Sequence, residues 1–137
     1  MSMTAVAVTP DGSKCAVAWK DVRTGSPRVW WSEGPAAKFS KDVALAEGGT
    51  AEQNHPALAL DATGTGWLAW EEGRGRDALV RLRSFPGGDP RDLADASQGV
   101  PAFPVLALGP GWLVVAWETS GSGGDRVVAR VVEGKGR

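Results

Sequence analysis

Short apolar runs alternate along this chain with turns rich in glycine and charge. The clearest stretch is 56–84, PALALDATGTGWLAWEEGRGRDALVRLRS. Its apolar runs, at 57–60, 66–70 and 78–82, are separated by Asp61-Ala62-Thr63-Gly64 and by the polar segment 71–77. Runs this short between turn residues predict antiparallel strands rather than helices. The same pattern stands before and after this stretch. In the first copy it predicts strands at 4–8, 15–19, 28–31 and 42–46, with turns at Pro10-Asp11-Gly12, 20–27 and 32–38. In the second copy it predicts strands at 56–60, 66–71 and 78–84, with a weaker fourth near 91–94. The third copy predicts 105–108, 112–118 and 126–132, and the chain ends before a fourth.

Tryptophan sets the period. Ala18-Trp19, Ala69-Trp70 and Ala116-Trp117 close the same apolar run, at spacings of 51 and 47 residues. Such periods mark arrays of one supersecondary unit, whose sheet faces are covered by neighbouring copies. Four strands in meander order make one blade of a β-propeller. The expected fold is therefore all-β. It consists of three four-stranded antiparallel meander sheets, the last incomplete, within one repeat domain. The blade boundaries fall at about 1–52, 53–100 and 101–137. Gly12, Gly64 and Gly111 fall at the first hairpin of each copy, where a tight turn needs positive φ. The second strands, CAVAW, WLAW and WLVVAW, are nearly continuous apolar runs, which predicts cover on both faces. In the third strand Arg81 and Arg83 flank Leu82, an alternation expected nearer the rim.

Composition narrows the function classes. The 137 residues carry 42 % hydrophobic side chains, enough for a core, with Gly 19 and Pro 9 supplying turns. A net charge of −1 leaves no electrostatic footprint for nucleic acid. No apolar run is long enough for a membrane helix, and residues 1–12 lack the pattern of a signal peptide. The expected setting is cytoplasmic as written, or that of a piece of a longer secreted protein. The single cysteine, Cys15, excludes an internal disulfide and is expected to be a buried strand thiol. His55 is the only histidine and is expected in a surface turn; no zinc set or Ser-His-Asp set forms around it. No cofactor is expected. Glu71 and Glu72 are adjacent on a strand and so point to opposite faces, a poor glycosidase pair.

After the tryptophan, the first copy continues Asp21-x-Arg23 and the second Glu72-x-Arg74; the third has Glu118 without the arginine. Ser32 and Phe39 stand at the ends of a turn in which Gly34, Ala36 and Lys38 replace Asp, Gly and Thr. Ser84 opens a second, poorer version. These elements resemble the Asp-box (BNR) repeat of sialidase-like β-propellers, over nearly the whole chain and in degenerate form. Sialidases of that kind use a tyrosine nucleophile, and this chain contains no tyrosine. A missing attacking atom cannot be replaced by binding groups. The resemblance therefore implies a non-catalytic propeller module for binding or assembly, not an enzyme. Two alternatives stay open: lectin-type carbohydrate binding, and a fragment of a glycoside hydrolase with its catalytic residues on other blades.

Seven tryptophans against three phenylalanines supply the candidate binding groups. Trp19, Trp70 and Trp117 are expected as wedges between blades, and Trp30-Trp31 as one ring on each face of a strand. Trp31, Trp67 and Trp112, with Arg23, Arg74 and Glu72, are the candidate carbohydrate-binding residues. The arginines have a plainer reading as loop braces on Asp21 and Glu72. Three blades do not close a ring, since propellers have roughly four to eight. Open end faces, expected to include 113–115, predict a partner. That partner is a second copy giving a six-bladed homodimer, or the missing blades of a longer chain.

Overall fold

The structure is a computed structural model and describes residues 3–35, 37–45 and 50–133. The described residues form eleven strands in three antiparallel meander sheets. Sheet 1 contains β1 (Thr4–Val8), β2 (Cys15–Asp21), β3 (Arg28–Gly34) and β4 (Val43–Ala44), in that spatial order. Sheet 2 contains β5 (Gln53–Leu60), β6 (Gly66–Glu72), β7 (Leu79–Phe85) and β8 (Arg91–Asp95). Sheet 3 contains β9 (Val100–Gly109), β10 (Trp112–Gly121) and β11 (Gly124–Glu133). Among the described residues no sheet closes on itself, and a single 3-10 turn, Gly75–Asp77, links β6 to β7.

The turn chemistry behaves as the residue types require. Gly12, Gly64 and Gly111 have φ of 73°, 82° and 73° at the first hairpin of each sheet. In the first two turns an aspartate organises the loop. Asp11 Oδ1 accepts from the backbone N–H and hydroxyl of Ser13, and Asp61 Oδ1 does the same for Thr63.

The three sheets are stacked by two cores. Between sheets 1 and 2 lie Ala16, Ala18, Val29, Trp31 and Leu45 against Leu60, Leu68, Trp70 and Phe85. Between sheets 2 and 3 lie Trp67, Ala69, Val80 and Leu82 against Leu113, Val115, Trp117 and Val132. Side chains alternate across a strand, so β6 sends Leu68 and Trp70 one way and Trp67 and Ala69 the other. Residues 66–70 are consequently all buried. The expectation of cover on both faces holds for β6 alone. In β2 and β10 only every second residue is buried, because no further sheet of the described residues lies beyond them. Cys15 is for this reason half-buried on the open face of β2, not in a core.

Polar groups also tie the sheets together. Gln53 is fully buried; its Oε1 accepts the Val29 N–H of sheet 1 at 3.1 Å, and its Nε2 donates to Glu72 at 3.0 Å. Arg28 Nη1 donates to Ala51 O at 2.7 Å, and Lys14 Nζ donates to Gly64 O at 2.8 Å. A buried amide satisfied at both ends stabilises modestly, but one left unpaired costs more than the pair contributes.

β5 and β9 both start earlier than the apolar pattern implies, upstream of Pro56 and Pro104. Proline marks a strand start or a bulge, and here it marks bulges. The β5–β6 register shifts between Asn54 and Ala57, and the β9–β10 register shifts opposite Trp117. His55 and Phe103, each just before the proline, adopt φ of 47° and 54°. Residues before proline favour extended backbone, and these two bulges hold their pre-proline residues at positive φ instead. His55 therefore lies within a strand, correcting its reading as a turn residue.

Candidate functional site

The tryptophan period has a polar counterpart. In sheet 1, Trp19 Nε1 donates to Asp21 at 3.4 Å; in sheet 2, Trp70 Nε1 donates to Glu72 at the same distance. The two positions lie on one face of a strand, so the acid meets the indole edge directly. A guanidinium completes each set. Arg23 binds Asp21 through Nε at 2.8 Å and Nη2 at 2.5 Å, reaches Asp42 at 2.8 Å, and lies 4.5 Å from the Trp30 ring centroid. Its hydrogen bonds, then the Arg23 backbone N–H, hold the Asp21 carboxyl below its ordinary range. In sheet 2 this role falls to Arg81, which binds Glu72 and Asp92 at 2.9 and 2.8 Å. Burial pushes the Glu72 carboxyl up, but hydrogen bonds from Gln53, Trp70 and Arg81 outweigh it and hold it low.

The candidate binding residues are not brought together. Arg23 braces its own loop, as the plainer reading has it. Arg74 does not meet Glu72; it pairs with Glu52 at 2.5 Å and its side chain is 79 % exposed. Trp31 lies in the first core, its ring 4.7 Å from Phe85, and Trp67 lies in the second. Trp112 is exposed at the start of β10, with its ring over Gly109, where a Cβ would collide with it. The turn resembling an Asp-box connects β3 to β4. Ser32 Oγ donates to Ser40 O at 2.8 Å, while Gly34 lies at positive φ where a Cβ would strike Lys38 O. Ala36 of that turn is outside the described residues.

Glu71 and Glu72 diverge as neighbours on a strand must. Glu71 Oε2 contacts His55 Nδ1 and accepts the Phe103 N–H at 3.1 Å, and the His55 and Phe103 rings meet edge to face at 4.4 Å. Among the described residues no group of three or more His, Cys, Asp or Glu side chains could hold a metal. Nor is any helix among them long and apolar enough to cross a membrane. A concavity of about 470 Å³ runs between β8 and β11. It is lined by Asp92, Asp95, Gln98, Trp117, Thr119 and Arg126.

Apolar side chains are exposed on the outer faces of both end sheets. The open face of sheet 1 carries Val6 and Val8, 66 % and 55 % exposed, beside Cys15, Val17 and Trp19. The open face of sheet 3 carries Val105, Val127 and Val131 around Val114 and Ala116. Within 113–115 only Val114 belongs to this face; Leu113 and Val115 are fully buried against sheet 2. Monomeric proteins rarely expose large contiguous apolar patches. No known family's sequence pattern matches this chain, and no curated protein matches it either.

Proposed function

We propose that this chain is a non-catalytic assembly module of β-propeller blades, in which a second copy covers the two open faces and completes a six-bladed ring. The observation that carries the reading is the pair of valine-rich faces at opposite ends of the stack, Val6 and Val8 on one and Val127 and Val131 on the other. A central sheet covered on both sides between two sheets each covered on one is an unfinished array. Stacked repeats gain stability from each neighbour contact, and terminal repeats ordinarily carry a polar outer face. Neither end of this stack does. Propellers have roughly four to eight blades, so two copies of three fall inside the range and three copies do not. The non-catalytic part rests on the absence of tyrosine in a repeat of sialidase type.

Sedimentation of the purified chain tests the reading. The expected mass is twice the 14.3 kDa of one chain. A well-folded species of single-chain mass at micromolar concentration would overturn it.

A further inference from the structure

The two internal contacts are the same contact made twice, and each end of the stack holds one unused half of it. Strand register fixes the correspondence. Ala18 faces Trp31, Ala69 faces Leu82 and Ala116 faces Ala129, so these pairs are equivalent in the three sheets. By the same register Val29, Val80 and Val127 are equivalent, standing opposite Lys20, Glu71 and Glu118.

Each sheet therefore has an alanine face and a tryptophan face. Ala16 and Ala18 of sheet 1 pack on Leu68 and Trp70 of sheet 2. Ala69 of sheet 2 packs on Val115 and Trp117 of sheet 3. The contact is head-to-tail both times. What remains open is the tryptophan face of sheet 1 and the alanine face of sheet 3. Exposure shows the missing partner position by position. Val29 and Val80 are 0 % exposed, yet the equivalent Val127 is 77 % exposed. Leu60 is 6 % exposed, yet the equivalent Val8 is 55 % exposed.

We infer that two copies associate head-to-tail: the alanine face of sheet 3 in each copy seats on the tryptophan face of sheet 1 in the other, giving two identical contacts. This rests on the assembly reading above and fixes which surfaces meet. The occupant is a second copy because each open face is the complement of the other, already realised twice inside the chain. A self-complementary pairing, tryptophan face on tryptophan face, would use one surface and leave the alanine face bare. Head-to-tail contacts give closed rings only when the rotation closes, and otherwise filaments.

Two charge substitutions separate these arrangements: Val6→Asp on the tryptophan face and Val127→Lys on the alanine face. Both sites are exposed in one chain, so the fold is kept, as circular dichroism would verify. Val8→Asp and Val105→Lys are the second pair if either variant misfolds. Each variant alone is expected to weaken self-association about a hundredfold or more, because each places an unpaired charge in both contacts. Mixing the two variants restores one unaltered contact and is expected to yield a one-to-one pair by sedimentation. If the wild type pairs but Val127→Lys still pairs normally, or if mixing restores nothing, the head-to-tail arrangement is wrong and the assembly reading survives. Wild-type species growing with concentration beyond two copies would overturn the closed pair. A wild-type monomer would overturn both.

Discussion

A short acidic side chain two residues from a hydroxyl governs the first turn. Asp11 accepts from the Ser13 hydroxyl at 2.7 Å, the Ser13 N–H at 2.9 Å and the Thr9 hydroxyl at 2.8 Å. The Ser13 hydroxyl first, then its backbone N–H and the Thr9 hydroxyl, lower the Asp11 carboxyl from its ordinary 3.8 to about 2. A group whose folded value is depressed adds stability above its unfolded value, and that contribution is lost as pH falls through the folded one. The turn at 9–14 is therefore expected to keep its order down to about pH 3 and to loosen as pH approaches 2. Carboxyl and amide chemical shifts of Asp11 and Ser13 would check this. A midpoint near the ordinary value would show that the hydrogen bonds do not hold in solution. At this scale only part of the structure is legible in the chain. The glycines at 12, 64 and 111 announce their turns, because only glycine adopts that backbone without strain. The partners of long side chains do not announce themselves. Arg74 is two residues from Glu72 yet pairs with Glu52, brought near by β5, and Glu72 takes Arg81 from the next strand.

At the scale of elements, strands follow the apolar runs wherever those runs are uninterrupted, and β1 spans Thr4–Val8 as the pattern implies. Proline hides the rest. Strands β5 and β9 pass through Pro56 and Pro104 on bulges, which sequence punctuation reads as strand starts. The upstream half of β5 carries Gln53, a polar residue with no apolar period to mark it as buried. It joins β5 to both β3 and β6. Gln53→Ala would strand the Val29 N–H in the first core and remove a donor from Glu72. The expected loss is about 1–3 kcal/mol, the usual penalty for an orphaned buried group. Urea unfolding would measure it. A loss under about 0.5 kcal/mol, the range of a surface change, would mean the amide is not a cross-sheet tie.

For the whole molecule, the period of Trp19, Trp70 and Trp117 is enough to anticipate three sheets, and their stacking follows from apolar second strands. What the period cannot convey is that its first and last members differ in circumstance. Trp70 is fully buried and Trp117 nearly so, whereas Trp19 is half-buried at an end of the stack. Association that covers such faces stabilises the folded state by mass action. The thermal midpoint is therefore expected to rise as chain concentration is raised a hundredfold, and Val127→Lys is expected to flatten that dependence. Calorimetry over the concentration series would check both; a midpoint independent of concentration in the wild type would contradict assembly.

Among the described residues, strand β11 has one hydrogen-bonded neighbour, β10, along its whole length. Its other margin offers main-chain donors and acceptors to any extended polypeptide that comes alongside, a hazard that folded proteins commonly blunt with charge. Arg126 and Arg130 lie on this strand, both exposed. A parallel, in-register approach by a duplicate strand would bring like charge against like at both positions, so the same ribbon that is open to strand addition is guarded against zippering with its own kind.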